Sequence, residues 1–282
     1  MAIRFDDIGN RLKAFRLGSS LSADEIASRL DISRTALYRF EKGELAKIET
    51  LEKLADLLGV GVEFIGSAIA YFERMRQIEE SSEHIIVLAG PISYLLASDA
   101  FDRSLDEILR ESIPDAAEGR KRALAQVDEV MAVLRQRKET YRRRQPGIVN
   151  LISAAEMQRF LRNGLVGQFD LPEKVRRERR ALARAEAEHF VALMEDEPIG
   201  VQIGIVPDTL PHASFQIFRQ PDRQVLALSP FRLGEEPNIR VGVAMITSAP
   251  EALALHEKMA KDLWRRALKG AAAVSLMREM MA

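Results

Sequence analysis

Leu21-Ser22-Ala23-Asp24-Glu25-Ile26-Ala27-Ser28-Arg29-Leu30-Asp31-Ile32-Ser33-Arg34-Thr35-Ala36-Leu37-Tyr38-Arg39-Phe40-Glu41-Lys42-Gly43 decides how the rest of the chain is read. It holds two short helical patterns with almost nothing between them. Ser22-Ala23-Asp24-Glu25 is a capping box, in which the serine oxygen accepts a backbone amide and the glutamate reaches back. Ile26, Ala27 and Leu30 then fall on one face. Asp31-Ile32-Ser33 is too short for anything but a tight turn, and Asp31 stands where a positive φ is needed, which aspartate tolerates better than most residues. Ser33 caps the second pattern, which runs through Glu41 and closes at Lys42-Gly43. Leu37 and Phe40 form its inner face, while Arg34, Thr35, Tyr38 and Arg39 point elsewhere.

Helical patterns flank this pair. One covers residues 7–17, with Ile8, Leu12 and Phe15 at helical spacing and a stop at Gly18. Another covers 49–58, turns Leu51, Leu54, Ala55 and Leu58 inward and ends at Gly59; a fifth begins near Gly61 with Phe64 and Ile65. Residues 1–66 are therefore expected to form an all-α domain of five helices. Two short helices on a three-residue turn suit the reading of DNA, since the second can lie in the major groove while the first braces it against the phosphates.

The stretch resembles the Xre-type helix-turn-helix of lambdoid phage repressors, over about the first quarter of the chain. The resemblance implies that Ser33, Arg34, Thr35 and Arg39 face base edges and that Tyr38 and Lys42 lie nearer the backbone. Ser22, at the start of the bracing helix, joins the DNA-binding set. Arg16 and Glu41 match a buried pair that ties the first helix to the end of the recognition helix. Two departures stand out: Ala23 replaces a glutamine often used for contact, and Asp31 replaces the usual glycine. The bland alternative is a small helical domain whose arginine-bearing helix serves protein contacts. Charges over residues 1–66 nearly balance, so a DNA-binding face must be one-sided.

The whole chain points to no partner by charge. It has 282 residues, 47% hydrophobic and 29% charged, with a formal net charge of −1. Length suggests roughly two domains, and any contact with nucleic acid rests on a local patch. The absence of cysteine excludes disulfides, thiol catalysis and cysteine-ligated zinc. The start, Met1-Ala2-Ile3-Arg4-Phe5-Asp6-Asp7, turns acidic where a secretion signal becomes apolar. No apolar run approaches the ~20 residues that cross a bilayer, and the longest, Ile85 to Leu96, contains Gly90-Pro91. The expectation is a cytoplasmic protein without membrane contact.

Residues 67–145 read as a helical connector and dimerisation region, with Ile69, Phe72 and Met75 extending an apolar stripe and Pro91 and Pro114 as breaks. Phe101, Leu105, Ile108 and Leu109 share a face. Residues 120–144 hold nine lysines and arginines against three acids. This run is either a second contact to the DNA backbone or a solvated helix face over Ala125, Val127, Val130, Met131 and Leu134. The sequence favours the solvated face.

After Pro146-Gly147 the period shortens. Residues 146–270 read as an α+β domain with a small, mainly antiparallel sheet, followed by a tail over 271–282. Ile148 to Ile152 is a strand, Ser153-Ala154-Ala155-Glu156 a second capping box, and Asn163-Gly164 a helix end. A long helix begins at Asp170-Leu171-Pro172-Glu173. Strands are expected at Val201 to Val206, Ser214 to Phe218, Gln224 to Leu228 and Arg240 to Ile246, then a last helix from Ser248 through Leu268. The order and spacing from Gly90 to Lys269 are similar to the domain following the helix-turn-helix in actinobacterial antitoxin-like regulators. That resemblance implies sensing or partner binding.

Nothing in this half points to an enzyme. His256, Lys258 and Asp262 share an amphipathic helix and are better read as a solvated face than as a phospholipase D signature, which they miss by one residue. His84, His189, His212 and His256 are isolated and lack metal-ligand spacing, so no catalytic residue, metal or cofactor is assigned. His212, Phe215, Phe218, Phe231 and Met245 form the candidate effector pocket, with plain core as the competing reading of the aromatics. The sequence thus leads to a dimeric repressor on a near-palindromic operator, whose C-terminal domain senses a small molecule or binds a protein. The alternative is an antitoxin-type autoregulator that neutralises a partner protein.

Overall fold

The computed structural model describes residues 16, 22–42, 62–88, 90–115, 117, 119–168, 170–208, 214–234 and 236–282. The chain divides into two compact units, one of Met1–Val62 with Thr247–Pro250 and one of Glu63–Ile246 with Glu251–Ala282.

In the first unit, α1 (Ala23–Arg29) and α2 (Arg34–Glu41) stand where the sequence places them. The capping box forms: Glu25 N donates to Ser22 Oγ at 3.2 Å, and Ser22 N donates to Glu25 Oε2 at 2.8 Å. The far end of α1 is a Schellman turn. Asp31 N donates to the Ser28 carbonyl at 3.2 Å and Ile32 N to the Ala27 carbonyl at 3.0 Å. Asp31 adopts φ 55°, the left-handed conformation that reverses the chain. Ser33 Oγ then accepts from Ala36 N at 3.1 Å and starts α2. Ile26, Leu30 and Leu37 form the core between the two helices, bordered by Ala23, Ile32 and Phe40. The helices expected over 7–17 and 49–58 lie outside the described residues, except for Arg16, which is helical.

The expected fifth helix is instead a strand, β1 (Val62–Ile65). Val, Phe and Ile favour a pleated surface, and its partner strand is remote in sequence, beyond the reach of local periodicity.

Among the described residues the sheet has seven strands in the order β1-β7-β6-β5-β2-β3-β4. The remaining strands are β2 (His84–Leu88), β3 (Gly147–Ser153), β4 (Val201–Val206), β5 (Phe215–Arg219), β6 (Gln224–Leu228) and β7 (Ala244–Thr247). β2, β3 and β4 are parallel, with Val87 opposite Asn150 and Asn150 opposite Ile203. β5 runs antiparallel to β2, and β6 antiparallel to β5. The sheet is therefore mixed and large, not the small, mainly antiparallel one expected. The main correction is β2, which lies within the stretch read as a helical connector and is central to the sheet. A strand buried on both faces reads as a continuous apolar run, which periodicity does not distinguish from helix.

Parallel neighbours need long crossovers. α4 (Asp99–Glu111) and α5 (Arg120–Arg144) connect β2 to β3; α6 (Ala154–Asn163) and α7 (Glu173–Asp196) connect β3 to β4. With α3 (Ala68–Glu79) and α9 (Gly270–Met281) they bury one sheet face, where Ile85, Val87, Ile148, Ile152, Ile203 and Ile205 meet Met75, Leu105, Leu134, Phe160, Phe190 and Met277. α8 (Pro250–Arg266) covers the other face, setting Leu253 and Leu263 against Leu151, Phe215 and Leu226. The expected tail over 271–282 is α9, packed against α7 through Ala273, Val274 and Met277. Gly164 takes φ 89° where α6 turns into α7, and a Cβ there would lie 2.6 Å from the Arg179 backbone.

The basic run of α5 is partly spent inside the fold. Arg137 pairs with Glu79 of α3, Lys138 with Asp102 of α4, and Arg142 with Asp99. Val127, Val130, Met131 and Leu134 are buried as expected, but Ala125 is exposed. His256 is also not on a solvated face: its ring is half-buried at 5.3 Å from Phe215, and Nδ1 is 2.8 Å from the Ala252 carbonyl. His189 Nε2 lies 2.9 Å from the Leu96 carbonyl.

Candidate nucleic-acid interface

α2 divides cleanly. Leu37 and Glu41 are buried; Ser33, Arg34, Thr35, Arg39 and Lys42 are exposed, and Tyr38 is half-buried. The division follows from the 3.6-residue period, with Leu37 and Glu41 four apart on the inner face. Ser22 is exposed but its hydroxyl is engaged, accepting from Glu25 N and donating to Glu25 Oε2 at 2.8 Å. The Ser22 backbone amide, and then its hydroxyl, both donating to Oε2, hold the Glu25 carboxyl below its ordinary pKa.

The expected pair is present. Arg16 donates from Nε and, at 3.0 Å, from Nη2 to the Glu41 carboxylate, a bidentate contact on a buried acid. Glu41 raises the Arg16 pKa, and the pair links the helical residue Arg16 to the last residue of α2.

The sequence did not indicate what continues from there. The Arg16 guanidinium lies over the Tyr38 ring at 5.2 Å, and the Arg34 guanidinium over the same ring at 5.7 Å. Arg34 also donates to Tyr38 Oη at 3.4 Å and to Asp24 Oδ2 of α1 at 3.1 Å. A polar chain thus runs Glu41–Arg16–Tyr38–Arg34–Asp24, from buried acid to exposed acid. The Arg34–Tyr38 spacing of four residues was a usable signal. The approach of Asp24 depends on how α1 and α2 cross, which no spacing rule encodes. Chemically, the outer face offers a forked guanidinium at the start of α2, a second at Arg39, and hydroxyls at Ser33 and Thr35. That set suits anionic backbone and acceptor-rich base edges.

Residues 7–63 match the family model of a helix-turn-helix domain. The chain carries this domain at its N-terminus, and α1, the Asp31 turn and α2, with Arg16, lie within it. No curated protein matches the chain. Among solved structures it is similar to TrmBL2, an archaeal chromatin protein whose structure is described as showing a novel mode of DNA binding. The two share 8% identity over 78% of this chain and 61% of that one, with a TM-score of 0.36. The chain therefore spans less than two thirds of that structure, and a likeness at this level carries no inference about fold or ligand.

The residues proposed for an effector pocket separate. Phe215 and Phe231 line one cavity of about 70 Å³, with Tyr71, Phe72, Tyr94 and Arg137. Met245 lines a neighbouring pocket of about 470 Å³, with Glu156, Arg159 and Arg232. Gly90, Ser214, Ser229 and Arg232 border both. Phe218 lines neither; it is core, placed opposite Ile85 and Val225 in the sheet. His212 lies outside the described residues. Ser153 caps α6 as expected, accepting from Glu156 N at 3.1 Å. The Glu156 carboxylate sits against Gly90, where an added Cβ would fall 1.6 Å from Oε2.

Proposed function

We propose that the chain is a sequence-specific DNA-binding transcriptional regulator of the Xre type, a dimeric repressor whose larger unit senses a small molecule. The observation that carries this is the exposed face of α2, where Ser33, Arg34, Thr35 and Arg39 stand together on a helix braced by α1 and by Arg16–Glu41. Residues 1–66 are the DNA-binding part in this reading, and the rest governs it. A dimer follows from the energetics of readout: one short helix contacts too few base pairs for genomic selectivity. Two recognition helices would address half-sites about one DNA turn apart on a near-palindrome. Paired cavities in the larger unit favour a small-molecule signal over a protein partner.

The test is selection of binding sites from a randomised duplex library, followed by titration of the recovered sequence at fixed salt. A two-fold-related motif is expected, with affinity lost in the Arg34→Ala and Arg39→Ala variants. Enrichment of no sequence, or full affinity in both variants, overturns the proposal.

A further inference from the structure

At the start of α5, Arg120 pairs with Asp115 at 3.0 Å. Arg122, two residues on, is exposed, and its guanidinium has no partner among the described residues. The same holds for Arg240, ahead of β7. Both arginines line one cavity of about 400 Å³, formed with residues 66–69 at the start of α3, and no acid among the described residues lines it. Gly66 and Gly119 border it without side chains, and a Cβ at either would meet no atom within 4 Å.

The fold fixes the backbone beneath both guanidinium groups. Arg122, Gln126 and Val130 follow one another at turn spacing along α5, and Val130 is core. Arg240 sits in a turn that Asn238 ties off. Asn238 Oδ1 accepts from Arg240 N at 3.2 Å and Val241 N at 3.1 Å, and Nδ2 donates to the Pro230 and Val241 carbonyls at 3.1 and 2.7 Å. Ile239, beside it, is buried in the core. Two unopposed positive charges in one concavity draw an anion, and a guanidinium grips phosphate as a fork. A carboxylate brings one negative charge, whereas a phosphate monoester brings close to two at neutral pH, so the ester matches the pair. The volume falls within the usual range of small-molecule sites. Ile69, Val130 and Ile239 give the cavity an apolar wall that suits an organic body and that a duplex backbone would leave uncovered.

We propose that this cavity binds a small organic phosphate monoester, its phosphate held by Arg122 and Arg240 and its apolar body set against Ile69, Val130 and Ile239. The site gives the sensor role above a ligand class and rests on that reading. Its first lining residue, Gly66, comes three residues after the helix-turn-helix match ends at residue 63, so occupancy bears on the segment that leads out of the DNA-binding domain. Binding is measured by calorimetry on the full-length protein without DNA, at low ionic strength, where exposed charges are least screened. The probes are phenyl phosphate, inorganic phosphate as the head alone, benzoate as a singly charged counterpart and benzyl alcohol as a neutral one. Phenyl phosphate is expected to bind about tenfold more tightly than each of the others, the scale of one charge-assisted hydrogen bond or one part-buried ring. Arg122→Ala and Arg240→Ala are each expected to weaken it about tenfold with an unchanged melting temperature. Arg144→Ala, at an exposed position of α5 outside the cavity, should bind it as the wild type does. Equal binding of benzoate overturns the phosphate assignment, and equal binding of inorganic phosphate overturns the apolar seat. Full binding by both cavity variants, or an equal loss in Arg144→Ala, overturns the placement. If no probe binds and the two cavity variants weaken operator and unrelated duplex alike, the arginines serve the DNA backbone and the proposal falls. Wild-type protein that selects an operator yet takes no probe overturns the site and leaves the DNA-binding reading intact. Phenyl phosphate bound by a chain that selects no DNA upholds the site and overturns that reading.

Discussion

Arg34 donates to the Asp24 carboxylate at 3.1 Å, so the guanidinium proposed above to read a base is held by an acid on α1. The pair is open to solvent, with side chains 56% and 70% exposed. Exposed pairs contribute little, so in the proposed mode of binding a guanine edge would displace Asp24. Asp24 also carries a negative charge at the N-terminal end of α1, which in the proposed mode of binding would approach phosphates. Asp24→Asn is therefore expected to strengthen binding to operator and unrelated duplex alike, by about two- to fivefold. Arg34→Ala should lower operator affinity by ~1–3 kcal/mol and relax one operator position. Gel-shift titrations on both duplexes check the two variants, and weaker binding by Asp24→Asn would show that the acid positions Arg34 rather than opposing DNA.

The buried pair Arg137–Glu79 predicts an asymmetry between single and double substitutions. Both side chains are 4% exposed, and the contact joins α5 to α3. Glu79→Ala leaves a buried guanidinium uncompensated and should cost ~3–5 kcal/mol in urea unfolding. Glu79→Met combined with Arg137→Met removes both charges at similar volume and should recover most of that loss. A double variant as unstable as the sum of its singles would show that the pair does more than cancel its own burial.

Three of the four tyrosines bear on alkaline stability. Burial pushes the phenols of Tyr71 and Tyr141 up to about 12, and that of Tyr94 also upward. A raised phenol pKa means that the native state favours the protonated form, so its contribution is complete below the ordinary value near 10 and is lost as pH rises through the folded value. Stability should hold to pH ~10 and then fall towards 12, at up to about 1.4 kcal/mol per unit for each buried phenol. Phenolate absorbance from Tyr71, Tyr94 and Tyr141 should therefore appear only with unfolding. Ionisation of these three before any loss of helix signal would contradict their burial.

Local chemistry made the helix-turn-helix legible, because each of its signals lies within a few residues. Ser22 and Glu25, Asp31, and Ser33 act through backbone groups no more than five positions away. Arg16 and Glu41 came from a family pattern, and their geometry agrees with it. The larger unit was read less well where its elements depend on distant partners. β2 is flanked on both sides by strands more than 50 residues away in sequence, and its apolar run carries no period. α9 opens with Gly270 at φ 54° and has no side-chain cap at Lys269, so its start has no sequence signal. Phe215 and Phe218, three apart on one strand, fall on opposite faces and both are core, Phe218 beside Ile85 and Phe215 under α8 with Leu151 and Leu226. That assignment required the strand's position in the sheet.

Asn150 offers a test of the sheet's interior. It is fully buried on β3, opposite Val87 and Ile203, and neither its Oδ1 nor its Nδ2 has a partner among the described residues. Its neighbours on the same sheet face, Ile148 and Ile152, are apolar core. A buried amide left unsatisfied costs ~1–3 kcal/mol, and valine suits a strand position flanked by β-branched residues. Asn150→Val should therefore raise unfolding stability by about 1–2 kcal/mol, while Asn150→Asp, which buries a charge in the same place, should lower it sharply. The pair of variants separates polarity from shape, since aspartate nearly matches asparagine in volume. A loss of stability in Asn150→Val comparable to that in Asn150→Asp would show that the amide is hydrogen-bonded in the folded protein, and that this strand is held by a polar contact rather than by its apolar neighbours.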